Sequence, residues 1–335
     1  MSARRCLPRS STDRSVWAAV LGPVVLLVVL LPALVGCRGA PAPAEPASSL
    51  ELFVLGTAQD GGLPHFGCNR ACCETARASG RALYPACLGV VEHDSGELLL
   101  VEATPAVEQQ VAMLQQLADT PDRGRRPVDG VMLTHAHIGH YLGLAFFGRE
   151  VASTKAMPTW CSPRMAGFLR GHGPWQQLVE LGQLELREVA ERTEFEPLPG
   201  LFVTAIAVPH RDEFSDTMAY KLRGPNRTVL FVPDIDSWAR AETLLKELLA
   251  DVDVAYLDAT FYDGRELPER NLAEIRHPLM IDTMDRLAEE AQARPGSLRF
   301  IHLNHTNPAL HDEQIRAEVR ARGFAIAEQG ESVVL

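Results

Sequence analysis

Gly130-Val131-Met132-Leu133-Thr134-His135-Ala136-His137-Ile138-Gly139-His140 is the stretch on which the reading of this chain turns. Gly130–Leu133 has the apolar run of a buried strand, and three imidazoles follow it within six residues. Residues two apart at a strand end can point to one side. His135 and His137 can therefore pinch one ion, while His140 leans toward a neighbouring position. Zinc, iron and manganese all accept such ligands. One histidine on an apolar surface is usually a packing residue; three at one strand terminus are better explained as a ligand set.

Outward from this point, apolar strands alternate with helices from Glu51 onward. Glu51–Leu55 is a short strand running into the Gly- and Pro-containing loop Gly56–Pro64. Leu88–Glu92 and Leu98–Glu102 form a hairpin across His93-Asp94-Ser95-Gly96. Thr104-Pro105 caps a helix that continues to about Ala118. Further strands are expected at Phe202–Val208, Met218–Leu222, Thr228–Val232, Val254–Leu257 and Leu298–His302, with closing segments Phe324–Ala327 and Ser332–Leu335. Helices are expected at Pro163–Gly171, Ser237–Leu249, Pro278–Ala293 and Asp312–Arg322. No repeat and no linker interrupts residues 50–335, so one α/β domain with two helix-covered sheets is the economical architecture.

The segment before the domain has a different chemistry. Arg4, Arg5, Arg9 and Arg14 precede an almost wholly apolar run, Val16–Val35, which could be a signal peptide or an uncleaved membrane anchor. Leu34-Val35-Gly36-Cys37 and the small, Pro-rich run behind it resemble a bacterial lipobox. This predicts a signal over 1–36, lipidation at Cys37, a tether over 37–49 and an exported lipoprotein on the periplasmic side of a bacterial membrane. Loss of residues 1–36 removes four arginines and one aspartate and takes the formal charge from −11 to −14. Apart from the short run Arg123-Gly124-Arg125-Arg126, no Lys/Arg cluster offsets this charge after residue 40, which argues against a nucleic-acid partner; a small-molecule substrate is expected.

The combined pattern resembles the metallo-β-lactamase superfamily, whose motif is His-x-His-x-Asp-His. The resemblance covers nearly the whole chain after residue 50 and implies an αββα sandwich. It also implies later ligands at His210 in Val208-Pro209-His210, Asp234 in Val232-Pro233-Asp234, and His302 in Phe300-Ile301-His302. One departure stands out: Gly139 occupies the place of the family's aspartate, a ligand of the second metal. The first position (His135, His137, His210, with Asp234) is then complete, and the second (His140, Asp234, His302) is a ligand short. A one-metal enzyme or a loose second ion follows, unless Asp236, Asp60 or Asp258 lends a carboxylate.

Two branches of that superfamily are similar beyond the histidine motif. Gly56-Thr57-Ala58-Gln59-Asp60-Gly61-Gly62, followed by Cys68, Cys72 and Cys73, resembles the Gly-rich loop and Cys-x-Cys-x-x-Cys of the cyclic-phosphate phosphodiesterase and of pyrroloquinoline quinone (PQQ) biosynthesis protein B. In the phosphodiesterase branch those cysteines hold a structural zinc with a histidine that corresponds to His305. Here Arg70 takes the middle place and Cys72 substitutes. Three thiolates and an imidazole suit tetrahedral zinc; a disulfide with Cys87 is the rival reading. Ile301–Pro308 and Leu257-Asp258-Ala259-Thr260 are most similar to the PQQ branch. That branch lacks the pair His135/His137, so the pair points back toward hydrolysis.

The resemblance thus implies a metal-dependent hydrolase of an ester or phosphodiester, with one or two Zn²⁺ ions (iron or manganese being possible). The alternatives are a PQQ-pathway redox enzyme and a carrier without turnover. His277, in Arg276-His277-Pro278, matches a phosphodiesterase histidine that binds or protonates the leaving group; a solvent-exposed residue before a helix is its plainer reading. Asp258 is a candidate to orient a ligand histidine, or simply a strand-end cap. His65, His93, His172 and His311 carry no pattern and are expected on the surface.

Overall fold

The computed structural model describes residues 49–120, 123–238, 241–268, 271 and 274–335. The readings for 1–36, Cys37 and the tether up to residue 48 lie outside these residues. Among the described residues no helix is long and apolar enough to cross a membrane.

The strands, in chain order, are β1 (Leu50–Gly56), β2 (Cys87–Glu92), β3 (Glu97–Val101), β4 (Gly130–Met132), β5 (Met157–Cys161), β6 (Leu184–Glu188) and β7 (Glu194–Leu198). They continue with β8 (Leu201–Val208), β9 (Thr217–Arg223), β10 (Thr228–Val232), β11 (Val254–Asp258), β12 (Leu298–Ile301), β13 (Ala325–Ile326) and β14 (Ser332–Val334). They form two seven-stranded sheets, ordered β14-β1-β2-β3-β4-β5-β6 and β13-β12-β11-β10-β9-β8-β7. Each sheet is antiparallel on one side and parallel on the other, with the change at β3 in the first and β10 in the second.

The layering follows from residue alternation. In β3, Leu99 and Val101 pack between the sheets, whereas Leu98 and Leu100 pack outward under the helices. In β10, Val229 and Phe231 face the other sheet, and Leu230 and Val232 face the outer helices. Strands buried on both faces have continuous apolar sequence, as here. The helices are α1 (Ala71–Ser79), α2 (Val107–Leu117), α3 (Ile138–Tyr141), α4 (Pro163–Gly171), α5 (Trp175–Glu180), α6 (Glu242–Leu249), α7 (Met280–Arg286), α8 (Ala288–Ala293) and α9 (Glu313–Ala321). Leu114 of α2 and Met165 of α4 cover the first sheet; Leu245 of α6, Met284 of α7 and Val319 of α9 cover the second. The result is the expected αββα sandwich.

Several element boundaries are corrected. The helix expected over 104–118 spans Val107–Leu117, and that expected over 237–249 is described as Glu242–Leu249. The helix expected over 278–293 breaks at Leu287 into α7 and α8. The cysteine segment, expected as loop throughout, opens α1 at Ala71, so Cys72 and Cys73 are helical. Strands β5, β6 and β7 are additional. Pro158 interrupts the first, and β6 and β7 carry exposed charged residues, which suits positions at or near a sheet edge and blurs the apolar signal.

Candidate metal centre

The chemistry-bearing side chains gather beyond the C-terminal ends of strands from both sheets, the usual place for ligands in open α/β sheets. β4 ends in the loop carrying His135 and His137; β8 runs into His210, β10 into Asp234, and β12 into His302. Leu133 is anchored on both sides, its N–H donating to Trp160 O at 3.0 Å and its carbonyl accepting from Tyr220 Oη at 2.6 Å. This holds the start of the histidine loop against strands of each sheet.

His135, His137, His210 and Asp234 each place one ligand atom within 4.8 Å of the others. His135 Nε2 lies 2.9 Å from His137 Nδ1 and 3.2 Å from Asp234 Oδ2, while Thr134 Oγ1 sits 2.8 Å from its Nδ1. Asp234 Oδ2 is also 3.0 Å from His140 Nε2 and 3.8 Å from His210 Nε2, so one carboxylate serves both halves of the cluster. Burial pushes His135 well below the ordinary imidazole range and takes His210 down to about 4, whereas burial of His140 is outweighed by its contacts with Asp234, Asp60 and Glu102, which hold the ring well above that range. Burial alone would raise Asp234, but His302, His135 and His140 outweigh it and hold the carboxyl well below its usual range.

The second half contains His140, His302 and Asp60, whose ligand atoms also lie within 4.8 Å of one another. His140 and His302 are both 1% exposed. Glu102 Oε1 stands 3.5 Å behind His140 Nδ1. His302 has φ +63° and Glu102 φ +80°, left-handed conformations that side chains other than glycine adopt at a cost of about 1–3 kcal/mol. Two such residues next to the cluster are consistent with strain held at a functional site.

Whether a cation suits this cluster can be judged from its polar atoms. Nε2 of His140, His210 and His302 and Oδ1 of Asp234 and Asp60 are buried and make no hydrogen bond. Buried polar groups are nearly always satisfied, and a divalent cation among them is the partner that this donor set fits.

The carboxylates behind the imidazoles have separate tasks. Asp258 is fully buried, its Oδ2 lies 2.9 Å from His277 Nδ1, and its Oδ1 accepts from Thr260 Oγ1 at 2.8 Å. Thr260 Oγ1 in turn lies 2.9 Å from His302 Nδ1, so Asp258 orients two rings, one of them through the threonine. It is more than a strand-end cap. Asp236 Oδ1 lies 3.3 Å from His210 Nδ1, and its Oδ2 accepts from Arg276 Nη1 at 2.9 Å. His277 is only 11% exposed, which corrects the solvent-exposed reading. Burial lowers its pKa, and the Asp258 charge and contact outweigh this to raise it to about 9.

Beside the cluster opens a cavity of about 490 Å³, lined by Gln59, Phe261 and His277 and by three arginines, Arg70, Arg211 and Arg276. Glu274 also lines this mouth, and Arg276 and Arg211 are paired with Asp236 and Glu213, so the three guanidinium groups stand among carboxylates that offset part of their charge.

Cys68, Cys72, Cys73 and His305 form a separate cluster with ligand atoms within 4.8 Å of one another. All five described cysteines are free thiols. Cys87 is buried in β2 with its thiol toward Leu88 O and Glu102 O and is not bonded to the cluster. His305 Nδ1 is buried without a hydrogen bond, and burial lowers this ring to about 4. His65, expected on the surface, is half-buried against this cluster, and His311, exposed as expected, touches it through His305. The His65 ring stacks on His305 at 4.4 Å and the His65 backbone N–H donates to Cys73 Sγ at 3.2 Å; His311 Nε2 lies 2.8 Å from His305 O. His93 and His172 are exposed, as expected.

Thr260, Glu102 and Glu213 were not singled out from sequence. Only Glu102 had a signal, a carboxylate ending an apolar strand. Glu213 Oε2 lies 3.0 Å from His137 Nε2.

Residues 98–303 match the family described as Beta-lactamase superfamily domain. The chain belongs to the metallo-β-lactamase superfamily. Within it, the chain is 24% identical over 302 residues to coenzyme PQQ synthesis protein B of Methylorubrum extorquens, covering 84% of this chain and 98% of that protein. It is 27% identical over 315 residues to the Rhizobium meliloti protein of the same name, covering 86% and 99%. Among solved structures, zinc-bound PqqB from Methylobacterium extorquens shares the fold with a TM-score of 0.71 and 22% identity, over 85% of this chain and 100% of that one. A diphosphatase of the PhnP family aligns with a TM-score of 0.61 and 20% identity, over 85% and 96%.

Proposed function

We propose that this protein is a metal-dependent hydrolase acting on a small anionic ester, with a phosphodiester as the favoured class. The observation that carries the proposal is the convergence of His135, His137, His210 and Asp234 beside a cavity rimmed by Arg70, Arg211 and Arg276. Zinc is the favoured cation for this imidazole and carboxylate set. When bound, such a cation brings the pKa of its water toward neutrality and polarises a phosphoryl or carbonyl oxygen.

The protein's own groups divide the remaining work. The three guanidinium groups draw in and orient the anionic part of the substrate, Arg276 being steadied by Asp236. His277, held through Nδ1 by Asp258, presents its other ring nitrogen, Nε2, for proton delivery to the departing oxygen. Burial of the imidazoles excludes bulk water and strengthens these interactions.

Metal analysis of the purified protein, combined with turnover of bis-(p-nitrophenyl) phosphate and p-nitrophenyl acetate, tests the reading. Stoichiometric metal with chelator-sensitive hydrolysis is expected. Bound metal without hydrolysis of either ester would overturn it. The sequence likeness to PQQ synthesis protein B favours one second reading, an oxygen-dependent oxidation, which would be marked by O₂ uptake and a requirement for ferrous ion. We further propose that residues 1–36 are an export signal and that Cys37 anchors the mature protein to a membrane. An acylated N-terminal Cys37 in the mass spectrum is expected, and an unprocessed Met1 would refute it.

A further inference from the structure

We propose that Asp60, supplied by the loop after β1, replaces the side chain absent at Gly139 as the carboxylate ligand of a second cation held with His140 and His302. The proposal rests on the cation site described above and adds a ligand to it from a remote part of the chain.

Gly139 is the first observation. It lies in α3 without a left-handed φ, so its backbone does not require glycine. A Cβ built on it would stand 1.8 Å from Asp60 Oδ1, 2.5 Å from Asp60 Cγ and 2.9 Å from Asp60 Cα. The Asp60 carboxylate therefore fills the volume that a side chain at 139 would cross. The two positions exclude each other, and the missing aspartate is exchanged for one arriving from elsewhere.

The direction of Asp60 is the second. Its side chain is 46% exposed as a whole, yet Oδ1 is buried and makes no hydrogen bond. That oxygen lies 3.5 Å from His140 Nε2 and 3.7 Å from His302 Nε2, both buried and likewise without a hydrogen bond. Three unsatisfied donor atoms facing one another are poorly explained as packing. Asp236 and Asp258, the other available carboxylates, are turned toward His210 and His277.

How the loop is held is the third. Gln59 N donates to Leu303 O at 2.9 Å, Leu303 N donates to Thr57 O at 2.9 Å, and Asn304 Nδ2 donates to Gln59 Oε1 at 2.5 Å. Residues 57–59 are thus laced to the segment that carries His302, and the lacing sets Asp60 beside it. Glu102 stands behind His140 and turns its Nε2 toward the same point.

The test is metal stoichiometry and affinity of the full chain, by elemental analysis and competition with a chromophoric chelator, on wild type, Asp60→Asn, Gly139→Asp and Asp60→Ala/Gly139→Asp. Wild type is expected to bind two ions per cluster beyond any held by the cysteines. Asp60→Asn should weaken the second by at least the 10–100-fold typical of losing an outer-shell partner. Gly139→Asp alone should also lose it, through collision with Asp60, and the double variant should regain it. Zinc anomalous diffraction from wild-type crystals keeps the test independent of variant folding, with an Asp60 oxygen expected about 2.0–2.2 Å from the second ion. Two ions with Asp60→Asn unchanged, or one ion at His135/His137/His210 only, would overturn this proposal and leave the hydrolase reading standing. No ion in the cluster at all would overturn both.

Discussion

The imidazole and carboxylate cluster and the cysteine cluster both gather four or more candidate ligands, but they are built differently. The first lies at the ends of strands from both sheets, with His135, His140, His210, Asp234 and His302 between 1% and 8% exposed. It borders a cavity and is shared between two neighbouring positions through Asp234. The second sits on a small satellite core of Leu63, Cys73 and Ala76, with Cys68 and Cys72 only partly buried. Three thiols and one imidazole match a closed tetrahedral site with no vacancy for substrate. The difference teaches where to look for chemistry: a ligand set with hard oxygen donors beside a cavity suits reaction, whereas a thiolate set joining α1 to the loop after His302 suits fastening.

The sharpest break between the two comes from removing one ligand in each. His135→Ala should lower kcat/KM at least about 1000-fold, about 4 kcal/mol at 1.36 kcal/mol per factor of ten, while the circular dichroism spectrum stays native. Cys73→Ala should act in reverse. Loss of a structural metal belongs among the largest destabilising changes, about 4 kcal/mol, and at about 2–4 °C per kcal/mol the melting temperature should fall by about 8–16 °C. Its kcat in saturating metal should stay within a few-fold of wild type. Equal effects of the two variants on both readouts would erase the distinction.

A subtler separation uses Asp258. Because it positions His277 directly and His302 through Thr260, Asp258→Asn should reduce activity or metal affinity by about 10–100-fold, as outer-shell carboxylates do. The bulk of that loss should appear in kcat, and a loss confined to thermal stability would make Asp258 structural only.

The smallest expected effect is a pH dependence of the metal-free protein. Burial lowers His305 from its ordinary 6.5 to about 4. Between those values the unfolded chain binds a proton that the folded one does not, so the His305 contribution makes stability fall as pH drops through that window and adds no further slope below it. In His305→Gln this slope should be reduced, not abolished, because His210 is lowered to about 4 as well. Urea melts across the window check this, and an unchanged slope would remove His305 from the account.

What was legible in the sequence tracks how local the physics is. The strand-to-histidine stretch 130–140 declared itself because an apolar run and its ligands are contiguous. His210, Asp234 and His302 were reached only through a family pattern, since each follows its own strand and nothing local joins them. Which carboxylate compensates for Gly139 depended on volume: Asp60 and Gly139 are 79 positions apart in sequence and occupy one space in the fold. Thr260 was missed for a similar reason, its hydroxyl becoming important only where β11 and β12 set Asp258 beside His302. The contacts of His65 and His311 with His305 arose from ring stacking and a loop contact that spacing does not encode.

Location of the cation by anomalous diffraction, above and below the metal's absorption edge, tests the central claim most directly. Peaks are expected among His135, His137, His210 and Asp234, with imidazole nitrogens about 2.0–2.1 Å from a zinc ion. Crystals grown in saturating zinc that hold the ion only at Cys68, Cys72, Cys73 and His305, with the imidazole cluster bridged by water alone, would contradict the account.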